Sequence, residues 1–298
     1  MKRKFFTSLS VAVTLGAASL GAQNTPRDAI VVSSNWLASH AKDPNLVVLH
    51  VGARSDFEKG HVPGARYVAT ESLFVSQPLT LEMPPADKLR ESLAGLGISN
   101  DSRIVVYYDS NRVALATRVV FTLDYAGLGA RTSLLDGGLK AWARAGNPVT
   151  AEATPAKTGN LAALSIKPII VTAEGVQSRI GKAGYSVVDG RTTAFYEGTQ
   201  TGGGRGSPHK TGHIAGAKSV PYTEITDGDW LLKPTDQLAT LFANAGIAKG
   251  DTIVGYCHIG QQATAMLFAA RTLGYPVLLY DGSFEDWSKR DLPVEKKP

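Results

Sequence analysis

The stretch VGYCHIGQQATA, residues 254–265, holds the only cysteine of the 298-residue chain, Cys257. A lone thiol admits two readings. It is often a small buried hydrophobe; it can also be a nucleophile, because the thiolate attacks sulfur and carbon readily. Its setting suits the second. The β-like run TIVGY leads directly into Cys257, and the helical pattern QATAMLFAARTLGY begins just beyond. The loop CHIGQQ therefore opens at the C-terminal edge of a strand and runs into a helix N-terminus, where unpaired N–H groups and the positive end of the helix dipole converge. Gly260 lets the backbone fold tightly enough for several N–H groups to point inward. Such a cradle, formed by His258, Ile259, Gly260, Gln261 and Gln262, is expected to hold an anion and to lower the thiol from about 8.5.

The elements that must carry this loop read as alternating strands and helices. YSVVD, DTIVGY and PVLLYD are short, β-rich and apolar on both faces, as strands of a covered parallel sheet are. PTDQLATLFANAGI places Leu238, Leu241, Phe242 and Ala245 on one helical face, and QQATAMLFAARTLGY does the same with Ala263, Met266, Leu267 and Ala270. The expectation is an α/β fold, a mostly parallel sheet with helices on both faces. The site then lies at the carboxyl ends of the strands, where open α/β sheets bind ligands.

The pattern occurs twice. KGHVPGARYV (59–68) matches TGHIAGAKSV (211–220), RIVVYYDS (103–110) matches TIVGYCHI (252–259), and LLDGGLKAW (134–142) matches LLYDGSFEDW (278–287). Order is kept and the offset stays near about 150 residues, so two homologous domains are expected. The boundaries read as 28–150 and 167–298, with a linker over 151–166 that is rich in Ala, Thr, Gly and Lys and lacks apolar period.

Residues 1–22 read as a secretory signal peptide. Lys2, Arg3 and Lys4 precede the uncharged LSVAVTLGAASLGA, with cleavage expected near Ala22. Export implies a periplasmic or secreted protein in an oxidising compartment, where an unpaired cysteine is unusual. Loss of the three basic residues lowers the formal charge from +5 to +2. That is no nucleic-acid-binding balance, and no later apolar run is long enough to cross a bilayer.

The paired GH-[VI]-x-GA blocks invite a metal reading for His61 and His213. No second ligand stands at metal-binding spacing, so hydrogen-bonded turn histidines are expected instead, with no metal. A Cys-x5-Arg phosphatase loop is excluded, because Ala263 stands where the arginine would be.

Taken together, the tandem GH-[IV]-x-GA blocks, the DGR at 189–191, the strand–Cys–loop–helix unit and the closing DG with Trp resemble the tandem-domain rhodanese (thiosulfate sulfurtransferase) family over nearly everything after residue 22. The resemblance implies a non-catalytic N-terminal domain, with Asp109 at the position of Cys257, and a catalytic C-terminal one. It also implies double displacement. Cys257 takes sulfur from a small-molecule donor such as thiosulfate, forms a persulfide, and yields the sulfur to cyanide, a thiol or a protein acceptor, without cofactor. A mercaptopyruvate sulfurtransferase and a sulfur carrier without turnover are the neighbouring alternatives.

The chain departs from the family's pattern around the loop. The thiosulfate branch usually has C-R-K-G-V-T, where two cations meet the donor; here His258 carries at most partial charge and Ile259 none. Phe195 stands where the family usually has a second arginine. Arg191 is left, either as a donor-binding cation or as a brace of the sheet end. The insertion 198–210 is either a plain surface loop or a source of replacement cations in Arg205, His209 and Lys210.

Overall fold

Two five-stranded sheets form, and their strands are connected in the same order. The computed structural model of the chain describes residues 25–155, 157–204 and 207–297. In the first half β1 (Val31–Val32), β2 (Leu46–Val51), β3 (Arg66–Tyr67), β4 (Arg103–Tyr108) and β5 (Thr132–Leu135) lie in the order β1-β5-β4-β2-β3, all parallel. In the second half β6 (Ile170–Val171), β7 (Tyr185–Asp189), β8 (Lys218–Ser219), β9 (Thr252–Tyr256) and β10 (Val277–Tyr280) lie in the order β6-β10-β9-β7-β8, again all parallel. The central strand is β4 in the first sheet and β9 in the second, and β9 leads directly into Cys257.

Both faces of each sheet are covered, as apolar runs without alternation require. Along β4, Val105 and Tyr107 pack on one side with Trp36, Leu37 and Trp142, while Ile104, Val106 and Tyr108 pack on the other. Along β9, Val254 and Tyr256 face Phe284 and Trp287, while Ile253 and Cys257 face the opposite side. That opposite side is common to the two halves. Helix α1 (Val113–Tyr125) of the first half lies against helix α2 (Gln261–Thr272) of the second, and Thr117 Oγ1 meets Thr264 Oγ1 at 3.3 Å. One apolar layer therefore includes both sheets' inner residues.

This sharing explains a difference from the one-faced pattern expected for α2. Every residue from Ala263 to Ala270 is buried, because the helix has its own sheet on one side and α1 on the other. The helix Thr235–Asn244 keeps the expected face, with Leu238 and Phe242 fully buried.

The halves also reach across each other. Asp136 Oδ1 accepts the Leu232 N–H at 2.8 Å, and Asp281 Oδ2 accepts the Met83 N–H at 3.0 Å. Each aspartate follows the last long strand of its half and holds a loop of the other. From Thr150 to Ile169 no helix or strand forms among the described residues, yet the segment is tied to the first half. Gly159 N–H donates to Ala94 O at 2.8 Å, Ala162 N–H to Asn100 Oδ1 at 2.8 Å and Lys167 N–H to Tyr125 O at 2.9 Å. The proposed leader, residues 1–22, lies outside the described residues. Among the described residues no helix is long and apolar enough to cross a membrane.

Candidate active site

Cys257 follows β9 directly and is fully buried. Its backbone is fixed on both sides. The N–H donates to Ser283 Oγ at 3.2 Å, and the carbonyl accepts the Phe284 N–H at 3.0 Å. His258 O accepts the Glu285 N–H at 3.0 Å. The strand end is thus stitched to the start of the helix Ser283–Lys289. Ser283 is buried and holds φ +52°, a left-handed conformation that costs a non-glycine residue energy. Its counterpart in the first half is Gly138, φ +55°. The serine hydroxyl, which also donates to Tyr280 O at 2.8 Å, is what that strained position gains. Sequence reading missed Ser283; its signal was a serine aligned with a glycine.

The loop turns through Gly260 at φ +78°, which caps α2. A Cβ there would meet Asp281 O at 2.9 Å and Arg118 Nη1 at 3.2 Å, so the position has neither the conformation nor the room for a side chain. On either side of the turn the N–H groups of Ala263, Ile259 and Gln262 favour the thiolate. Of the five expected N–H groups, those of Ile259 and Gln262 act on the thiol, joined by Ala263, which was not expected. Gln261 is the first residue of α2, and the Gln262 Oε1 is buried without a partner.

The expected low thiol pKa is not found. Burial pushes the Cys257 thiol up from its ordinary value, the three N–H groups oppose this without overcoming it, and Asp189 adds to the rise. A helix N-terminus favours an anion, but here the anion would stand in a dry apolar layer, and desolvation is the larger effect. Partial positive charge on His258 is likewise overturned for the resting chain. Burial, Arg191 and His209 hold its imidazole down at about 4.

Arg191 is a brace. It is 1% exposed; Nε and Nη2 bond Asp189 at 3.0 and 2.6 Å, and Nη2 also donates to Gly212 O at 2.7 Å. Its guanidinium lies 4.1 Å over the Phe284 ring. Of the candidate cations in the insertion, Lys210 is turned away, its Nζ on Arg290 O and Leu292 O at 2.8 Å each. Arg205 lies outside the described residues. His209 does come to the loop: its Nδ1 is 3.3 Å from His258 Nδ1. Phe195 meets the His258 ring edge-on at 4.5 Å.

His61 and His213 are turn histidines of one design. Nδ1 of each bonds a carbonyl, Phe57 O or Tyr196 O, at 2.7 Å, and each ring stacks on the ring of that same residue at 3.9 or 3.8 Å.

The first half's counterpart of Cys257 requires a correction. The Tyr107 hydroxyl accepts the Val62 N–H at 3.1 Å, and the Tyr256 hydroxyl accepts the Ile214 N–H at 3.1 Å, so these two tyrosines are equivalent. Pairing agrees: Tyr107 lies opposite His50 and Tyr256 opposite Asp189. Cys257 therefore matches Tyr108, not Asp109, and both face the shared layer; a one-residue slip would send the side chain to the wrong face. Asp109 matches His258. It bonds His50 Nε2 at 3.1 Å, and burial is the main cause that holds the His50 imidazole down at about 4. Tyr108 donates instead to Trp230 O of the second half at 2.7 Å.

Arg118 of α1 was not singled out from the sequence either, since nothing local marks it. It is fully buried, with Nη2 on Asp281 Oδ1 at 2.6 Å and on Leu81 O, and Nη1 3.5 Å from Gly260 O.

Comparison with known proteins places this geometry. The Rhodanese-like domain family matches residues 33–145 and again 172–290. The chain is 28% identical to thiosulfate sulfurtransferase of Rattus norvegicus, with 88% of this chain and 93% of the relative covered. It is 30% identical to 3-mercaptopyruvate sulfurtransferase of Escherichia coli (89% and 97%) and 29% identical to the sulfur carrier protein TtuD of Thermus thermophilus (90% and 96%). The crystal structure of YnjE superposes with a TM-score of 0.82 at 25% identity, over 93% of this chain and 70% of that one.

Proposed function

The chain belongs to the rhodanese-like family, and on that premise we propose that it transfers sulfane sulfur from thiosulfate to cyanide or a thiol through a persulfide on Cys257. One observation carries the proposal: the chain's only thiol ends the central strand of the second sheet, with three N–H groups favouring its anionic form. The Cys257 thiol first gives up its proton to solvent, and the thiolate so formed attacks the outer sulfur of thiosulfate. A bond forms from Sγ to that sulfur, the donor's S–S bond breaks, and sulfite leaves with the electron pair. Three negative charges enter and three remain, one on the persulfide and two on sulfite. The cradle suits this state, since N–H groups arranged in advance stabilise anionic sulfur without reorganising. Cyanide then takes the outer sulfur as thiocyanate and restores the thiolate.

A second reading, 3-mercaptopyruvate as donor, is favoured by Phe195 and Ile259, which bring no cation to a site that a dianion would enter. The ratio of kcat/KM for the two donors separates the readings. The Thermus relative is named a sulfur carrier protein; a carrier without turnover would load one sulfur and then stall. The direct test is the mass of the protein after donor treatment. One added sulfur, removed by cyanide and absent from Cys257→Ser, is expected. A Cys257→Ser variant that keeps most of its transfer activity excludes the mechanism.

A further inference from the structure

We propose that His209 and His258 act as one unit that binds the charge of an anionic sulfur donor by taking up a proton as the donor arrives. The proposal rests on the reading of Cys257 as the sulfur carrier and adds the origin of the countercharge.

The two Nδ1 atoms lie 3.3 Å apart, and the rings are tilted at 35° with centroids at 5.4 Å. The contact is built rather than incidental. His209 N–H donates to Gly202 O at 2.9 Å, which closes the insertion on itself beside the loop. A Cβ at Gly202 would lie 2.4 Å from His258 Cε1 and 2.6 Å from its Nδ1, so a glycine is needed for the ring to sit there. Phe195 supports His258 from the side, and the His209 ring is 6.0 Å from that of Phe284, whose N–H holds the Cys257 carbonyl.

Among the described residues, the other cations named near the loop are engaged. Arg191 is on Asp189 and Gly212 O, Lys210 on two carbonyls, Lys289 on Glu285 at 2.9 Å, and Arg118 on Asp281. The imidazoles have the flexibility that these lack. In the neutral pair one Nδ1–H donates to the other Nδ1, which leaves one Nε2 bare and the other protonated. A proton added to the bare Nε2 makes both Nε2 atoms donors and keeps the mutual bond. The groups facing His258 are Arg191 and His209, which oppose its charging, and Asp189, which favours it. For His209, Arg191 and Lys289 oppose and Glu285 favours. Burial is the main cause that opposes charging in both, and the opposing neighbours add to it, so both imidazoles are held toward the neutral form. A donor with two negative charges reverses the balance, because a nearby opposite charge favours the charged form.

The test uses thiosulfate and the Cys257→Ser chain, which can bind but not react. Uptake of one proton makes the thiosulfate Kd tighten by up to tenfold per pH unit as pH falls between about 7.5 and 5.5. Calorimetry in two buffers of different ionisation enthalpy should register that proton. Adding His209→Ala, or separately His258→Gln, should remove both the slope and the uptake. The proposal is overturned by equal slopes with and without His209, by binding without proton uptake, or by no binding to Cys257→Ser at any pH while the wild type loads sulfur. If the wild type itself acquires no sulfur, the assignment of Cys257 fails first, and the mass measurement shows that separately.

Discussion

Removal of the Arg118 guanidinium tests whether the first half holds the catalytic loop. In Arg118→Met the stem volume stays while the charge and its donors go. Arg118 is fully buried and the Asp281 side chain is 9% exposed. The variant therefore leaves a buried carboxylate with only the Met83 N–H on its other oxygen, and it leaves Leu81 O without this donor. Loss of one partner of a buried ion pair costs about 3–5 kcal/mol, on the order of a hundred- to several-thousandfold in the folding equilibrium. Urea unfolding followed by tryptophan fluorescence measures this. Arg118→Met/Asp281→Asn should recover part of the loss, because no uncompensated charge remains. Sulfur transfer, assayed well below the unfolding midpoint, should also fall in kcat, since Gly260 loses the group that packs against its turn. The reasoning is refuted if Arg118→Met loses less than about 1 kcal/mol and transfers sulfur at the wild-type rate, for then the interface does not position the loop.

Further outcomes are expected. Tyr108→Cys should not create a second sulfur-loading site, because Arg112, not a glycine, caps α1; two persulfides per chain would contradict this. Alkylation of Cys257 by iodoacetamide should be slower at neutral pH than that of an exposed thiol and should rise with pH past the usual thiol range, since burial raises the folded pKa; a fast, pH-independent rate would show the opposite. His50 and His258 are both held near 4 in the folded chain against 6.5 for an ordinary histidine. Lowered folded values stabilise above the unfolded pKa and lose that contribution as pH falls, so stability should drop between about pH 6.5 and 4 by up to about 1.4 kcal/mol per unit for each group. His50→Gln should flatten the profile, and an unchanged slope would remove His50 from the account. Deletion of residues 2–22 should leave an active protein inside the cell; export of that deletion would overturn the signal reading.

Much of the fold was legible because it is local and repeated. TIVGY and YSVVD are apolar on both faces, which only a covered strand tolerates. The three matched blocks carry the duplication, and the single cysteine beside Gly260 marked the loop. RIVVYYDS set residue for residue beside TIVGYCHI already puts Tyr108 against Cys257, so the Asp109 expectation was a one-residue slip, and the hydrogen bonds from Val62 and Ile214 fix the register. What stayed hidden depends on other parts of the molecule. Arg118 reads as an ordinary helical residue until α1 meets α2. The thiol's pKa was misjudged because the dipole at a helix start is visible in sequence, whereas the second half of the shared layer, which dries the site, is not. His258 misled for the same reason.

The buried position of the lone cysteine has a consequence for the lifetime of the loaded state. Many redox cysteines discharge onto a neighbouring thiol of the same chain. Cys257 has none, so an outer sulfur once attached leaves only with a visiting molecule. Solvent oxidants face the same fully buried residue. On the proposed mechanism the sulfur-bearing form is then a store whose residence time is set by how often an acceptor reaches the buried strand end, and by which acceptors fit there.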